Sequence, residues 1–171
     1  MANRKLISDT IETALNNQIE MEATASFNYL ALVSWCEERG LKGCAGFFMA
    51  HSEEERQHMM KFFNYVNAVG GFAVAPNIKK PSASFGDIKK VFENALSHEQ
   101  KVTKSIHELT ELATKERDHA TYNFLQFFVQ EQLEEEQLFT NAIERIELIG
   151  LDGKGLFYID KEIELLRNEN G

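Results

Sequence analysis

The chain has 171 residues, 43% of them hydrophobic, and a formal net charge of −9, which allows one domain with a sizeable core and gives no sign of a second. The acidic balance argues against nucleic acid, whose phosphate backbone needs a basic surface, and is compatible with attracting cations. No stretch is long and apolar enough to cross a membrane, and the opening residues lack the apolar run of a signal peptide, so a cytoplasmic protein is expected.

The first helix is expected from about Ser8, a plausible N-cap, to about Arg39, with Gly40 ending it. Cys36 and Cys44 flank a presumed turn at Gly40 to Gly43; they lack metal-ligand spacing and are expected to be free thiols in a reducing compartment. A second helix follows Gly43 and stops before Gly70-Gly71. The only two prolines, Pro76 and Pro81, fall in the next stretch, so Gly70 to Gly86 reads as a long loop. A third helix starts near Asp87 and runs to about Lys115, and a fourth covers about His119 to Ile149. A short amphipathic helix over about Gly155 to Asn168 closes the chain, with Leu156, Ile159, Ile163 and Leu166 on one side.

Short connections make the first and second helices antiparallel, and likewise the third and fourth. The middle loop, about 17 residues at up to about 3.3 Å each, can run back along a helix of about 27 residues at about 1.5 Å each. The second and third helices can then be parallel. The expected fold is all-α: a four-helix bundle over about residues 8–149 with one long crossover, plus the fifth helix, in a single domain spanning residues 1–171.

Acids interrupt the apolar stripes of that bundle. On the second helix Phe48, His51, Glu55, His58, Phe62, Tyr65 and Val69 advance by threes and fours, so three titratable groups lie on one inward face. Glu22 breaks the stripe Ile11, Leu15, Ile19, Ser26, Tyr29, Val33. Glu99 does the same among Ile88, Val91, Ala95, Val102, Ile106 and Leu109, as do Gln132 and Glu135 between Phe128 and Phe139. One such Glu alone is most simply the edge of an apolar face with its head in water. Interruptions on four helices at compatible heights are harder to dismiss, because buried carboxylates must be neutralised, paired or bound to cations. Glu22, Glu55, Glu99 and Glu135 balance two divalent ions, and carboxylates with one or two imidazoles and no thiolate suit Fe or Mn better than Ca or structural Zn.

Di-metal carboxylate bundles draw one Glu from each of two helices and Glu-x-x-His from each of the others. Glu55-Arg56-Gln57-His58 is one such motif, whereas the fourth helix has Gln132-Leu133-Glu134-Glu135, with no second His. With that departure, the chain resembles the bacterial non-haem ferritins over nearly its whole length. The resemblance is carried by Asn17-Gln18-Ile19-Glu20-Met21-Glu22, by His51-Ser52-Glu53-Glu54-Glu55-Arg56-Gln57-His58, by His98-Glu99-Gln100, by Asn123 to Phe128 leading into Glu131-Gln132-Leu133-Glu134-Glu135-Glu136, and by Gly155 to Glu162. Bacterioferritin fits less well, since it has a second Glu-x-x-His and a haem-ligating Met where this chain has Arg56; no haem is expected.

The resemblance implies two irons, one held by Glu22, Glu55 and His58, the other by Glu99 with Glu55 bridging and Gln132 and Glu135 close by. It implies a third, inner iron site at Glu54, Glu131, Glu134 and Glu135, for which a solvated acidic face is the plain alternative. Tyr29 corresponds to a tyrosine beside the iron pair that acts as a possible electron donor. The implied activity is ferroxidase: Fe(II) is oxidised by O₂ or H₂O₂ and stored as a hydrated ferric oxide inside a homo-oligomeric shell of twenty-four subunits. His51 is read as an outer hydrogen-bonding partner, His98 as turned away from the stripe, and Trp35 and the Phe-rich seams as core or interface. The competing readings are a non-storing di-iron oxidase or peroxidase of the rubrerythrin kind, for which the rubredoxin-like Cys pairs are lacking, and a structural bundle whose acids form only salt bridges.

Overall fold

The computed structural model describes residues 4–170, which form α1 (Asp9–Glu38), α2 (Lys42–Ala68), α3 (Ile88–Lys115), α4 (His119–Ile149) and α5 (Gly155–Asn170). Three of these helices start at a side chain that accepts one of the first-turn amides left without an intrahelical partner. Ser8 takes the Ile11 amide at 3.1 Å, Asp87 the Lys90 amide at 2.8 Å and Asp118 the Thr121 amide at 2.9 Å.

Among the four bundle helices α2 is the exception, because its N-cap residue Leu41 offers no side-chain acceptor. Asp160 of α5 fills that role from 116 residues away, its Oδ1 accepting the Cys44 amide at 2.9 Å. Gly43 therefore lies inside α2 and not before it, as the sequence had suggested. A Cβ on Gly43 would sit 2.1 Å from the Asp160 carbonyl oxygen, so only glycine lets the backbones of α2 and α5 approach this closely. At the other side of the turn α1 ends at Glu38, one residue short of the expected Arg39, and Gly40 adopts φ +73°.

Side-chain pairs give the helix directions. Tyr29 meets Glu99 and Gln18 meets Ser105, so α1 and α3 run antiparallel. Between α2 and α4, Phe47 faces Phe139 and Phe62 faces Phe128, again antiparallel. With α1 and α2 joined by a short turn, α2 and α3 are parallel, as the crossover length allowed. The crossover is held along α1 by Asn16, which donates to the Phe72 carbonyl at 3.0 Å and accepts the Val74 amide at 2.7 Å. Further on, Phe85 lies edge-on to Trp35.

Two apolar clusters fill the bundle. One joins Ile11, Leu15, Phe62, Ile106 and Phe128 at one end, and the other joins Trp35, Phe47, Phe92, Phe139 and Ile146 at the end covered by α5. Helix α5 packs on α2 and α4 and inserts Ile159, Ile163 and Leu166 into the second cluster. Leu156, placed on the same side by the sequence pattern, is instead 44% exposed, and the buried position one turn along belongs to the capping Asp160. Near the same junction Cys36 and Cys44 are free and buried. Burial pushes the Cys36 thiol up to about 12 and raises that of Cys44 as well, so both stay protonated.

The Asp160 cap gives a stability test. Asp160→Ala is expected to lower unfolding free energy by about 1 kcal/mol, and Gly43→Ala by about 1–3 kcal/mol through overpacking. Asp160→Asn, which retains an acceptor, loses less. Denaturant titration followed by circular dichroism measures all three.

Candidate metal centre

Between the two apolar clusters lies a band of buried polar side chains from all four bundle helices, running from 0% exposure at Glu99 to 8% at Glu135 and including Glu22, Glu55, His58 and Gln132. Helical spacing puts each acid on the inward stripe of its helix, and the large residues on either side keep water from it.

Ligand atoms of Glu22, Glu55 and His58 lie within 4.8 Å of one another. The Oε2 atoms of Glu22 and Glu55 are buried and accept no hydrogen bond. His58 Nδ1 stands 3.6 Å from Glu55 Oε2, while its Nε2 is 3.5 Å from Glu131 Oε2. From the other hairpin, Glu99 accepts the Tyr29 hydroxyl on Oε1, and Gln132 Nε2 lies 3.2 Å from both its Oε2 and its backbone carbonyl.

The electrostatics of this band are unfavourable as it stands. Burial, then the charges of Glu22 and Glu99, push the Glu55 carboxyl well above its usual range. Glu99 is raised to about 7 by burial and by Glu135, against the hydrogen bonds from Tyr29 and Gln132 that favour its charged form. Among the described residues, no Lys or Arg is buried to balance these acids. Unpaired carboxylate oxygens converging with an imidazole form a donor set that fits a hard, first-row divalent cation, and an ion there would remove the repulsion.

A second group reaches toward the α2–α4 face. Ligand atoms of His51, Glu54 and Glu135 fall within 4.8 Å of one another, as do those of Glu54, His58 and Glu131. His51 Nδ1 is 2.9 Å from the Phe47 carbonyl, which leaves Nε2 to face Glu135 Oε2 at 3.3 Å. Burial, followed by the charge of Glu135, raises the Glu54 carboxyl. Glu134 is exposed and accepts from Gln130 Nε2 at 2.7 Å, outside both groups. It still borders, with Glu54, Glu131 and Glu135, a pocket of about 190 Å³. Arg167 of α5 lies at the edge of that pocket, its guanidinium in the space that a Cβ on Gly46 would occupy.

The sequence reading thus finds its residues in two adjoining groups, with Glu134 at the rim. His51, read as an outer partner, aims a ring nitrogen into the second group. Gln18, to which the sequence pattern assigns no role, is buried, accepts from Ser105 at 2.6 Å and donates to Glu22 Oε1 at 2.8 Å. Its position one turn before Glu22, on the same face, was the available signal.

Residues 12–149 match the Ferritin family, described as a ferritin-like domain. A probable bacterial non-heme ferritin-like protein of Haemophilus influenzae is 39% identical over 158 residues, covering 92% of this chain and 96% of that protein. The bacterial non-heme ferritin of Campylobacter jejuni is 39% identical over 159 residues, 93% of this chain and 95% of that one. Crystal structures of an open-pore ferritin from the hyperthermophilic archaeon Archaeoglobus fulgidus superpose with a TM-score of 0.90 at 40% identity, covering 93% of this chain and 98% of the archaeal one. Matched along most of its length in sequence and in fold, the chain belongs to the ferritin-like family.

Proposed function

We propose that the protein stores iron and oxidises it on the way in. Fe(II) is the substrate, bound as a pair by Glu22, Glu55, His58 and Glu99 with Gln132 and Glu135 alongside, and O₂ or H₂O₂ is the oxidant. The observation that carries this reading is the pair of buried carboxylate oxygens on Glu22 and Glu55 that have no hydrogen-bond partner among the described residues. A purely structural network would satisfy them, since an unpaired buried acceptor costs about 1–3 kcal/mol.

Carboxylates stabilise Fe(III) over Fe(II) and so favour oxidation, and the neutral Gln132 amide in place of a second imidazole holds its ion weakly. Weak retention suits a site that releases product. The open side lies toward Glu54, Glu131 and Glu134, where His58 belongs to both groups and the neighbouring carboxylates give the ferric product an acidic route out of the bundle. A single bundle has no room for a mineral, so storage requires a homo-oligomeric shell, for which the family resemblance implies twenty-four subunits. The net charge of −9 draws cations toward such a shell at low ionic strength.

Stopped-flow mixing of anaerobic Fe(II)-loaded protein with O₂, followed in the near ultraviolet, tests the assignment. Glu55→Ala and His58→Ala should each slow the fast phase about tenfold or more, since even outer partners of metal ligands are worth about 10- to 100-fold. Unchanged initial rates in both would sink the proposal. Glu134→Ala should leave the initial rate intact and reduce the iron retained per subunit after repeated additions. The metal-free protein has its own signature. A carboxyl whose pKa is raised by folding adds stability below its unfolded value and loses it as pH climbs through the folded one. For Glu99 that window runs from about 4.5 to about 7. Chelator-treated protein should melt lower at about pH 7.5 than at about pH 5, by at most about 3 kcal/mol for one such group. Glu99→Gln should shrink the drop, and a divalent cation should abolish it.

A further inference from the structure

On the side of the bundle away from the acidic pocket, α1, α3 and the end of the crossover enclose a second pocket of about 310 Å³. Its chemistry is the reverse of the first. Leu32, Phe85 and Val91 make apolar walls, and Asn28, Asn94 and Ser84 add polar groups without charge; no Asp, Glu, Lys or Arg lines it. Two further residues end in atoms that bear on function. His98 Nε2 is buried and has no hydrogen-bond partner among the described residues. Tyr29, 3% exposed, also borders the pocket while its hydroxyl donates to Glu99.

An uncharged, mostly apolar pocket of this size selects a small neutral ring over an ion or a nucleotide. The unsatisfied His98 nitrogen asks for one hydroxyl or carbonyl on that ring. Whatever sits there is separated from a candidate iron carboxylate by a single phenol side chain. We infer that this pocket binds a small neutral reductant of the hydroquinone class, whose electrons return stored iron to the ferrous state through Tyr29. The hydroquinone gives up two electrons and its two hydroxyl protons to become the quinone, and two Fe(III) of the hydrated oxide each take one electron and leave as Fe(II), their oxide and hydroxide taking up protons from solvent to become water. Tyr29 passes the electrons one at a time, its hydroxyl proton shifting along the hydrogen bond to Glu99 and returning, while the protons from the ring go to solvent. The redox half of this inference rests on the iron-storage proposal; the binding half does not.

The single tryptophan reports binding directly, because Trp35 lies edge-on to Phe85 with ring centroids 6.4 Å apart. Titrating the full chain, free of iron, with tetramethylquinone should quench Trp35 fluorescence along a saturating curve. Asn94→Phe, which fills the mouth, should abolish saturation. His98→Leu should weaken binding about fivefold to tenfold, the loss of one net hydrogen bond. Collisional quenching without saturation in the unmodified protein, or affinity unchanged in both variants, overturns the pocket. With iron-loaded protein under argon and a ferrous chelator, tetramethylhydroquinone should release Fe(II) at a rate that saturates at the same concentration range. Tyr29→Phe should bind the quinone normally but release iron at least about tenfold more slowly, and equal release rates overturn the electron route. Asn94→Phe keeps the fast oxidation by O₂. If that oxidation were absent from the unmodified protein, the storage proposal would fail while the fluorescence titration still decided the pocket.

Discussion

Carboxylates kept from water dominate this molecule. Glu22, Glu55, Glu99 and Glu135 sit in one band between two apolar clusters, and the surrounding side chains supply no buried Lys or Arg to balance them. A fold optimised only for stability would place leucine there, since replacing buried ionic groups by packed apolar ones is often neutral or stabilising. Under the proposed function the band persists because a bound cation completes it. The rest of the bundle serves to keep that band dry and in register: Gln18 and Tyr29 hold the acids of α1 and α3, and Phe47, Phe62, Phe128 and Phe139 set the spacing of α2 from α4.

The two sides of the band differ in kind. The α2–α4 side is acidic and open through Glu54, Glu131 and Glu134, with His58 common to the inner and outer ligand groups and His51 in the outer one. The α1–α3 side is neutral and partly apolar, and it reaches the same carboxylates only through the Tyr29 hydroxyl. Under the two proposals, ions and a neutral ring would have separate approaches to one set of oxygen atoms. That separation follows from which residues fill the gap on each side, glutamates on one and asparagine, serine and alanine on the other.

Much of this was readable in the sequence. Two prolines confined to one stretch, a cap at Ser8, a helix start at Asp87, and apolar steps of three and four gave the helices and the crossover direction. The acids betrayed themselves by interrupting those steps. What escaped was tertiary in origin. Gly43 looks like a turn residue until α5 is seen pressing on it, and no local pattern tells that Asp160 caps a helix that begins 118 positions earlier. The aim of His51 depends on the Phe47 carbonyl taking its other nitrogen, and the exposure of Leu156 depends on where α5 lands. Each of these is fixed by a contact between elements, which periodicity within one element does not encode.

The parallel course of α2 and α3 carries a consequence for how the chain assembles. Because the crossover separates two helical hairpins, Glu22, Glu55 and His58 arrive on one half and Glu99, Gln132 and Glu135 on the other. Neither half contains the centre by itself. Part of the acids' mutual repulsion exists within each half, Glu22 against Glu55 and Glu135 against Glu99, and docking adds that between Glu55 and Glu99, so this added share stands as a barrier late in folding, after the hairpins exist. An ion captured by the first half would turn that barrier into attraction, making the cargo a chaperone for the container that receives it.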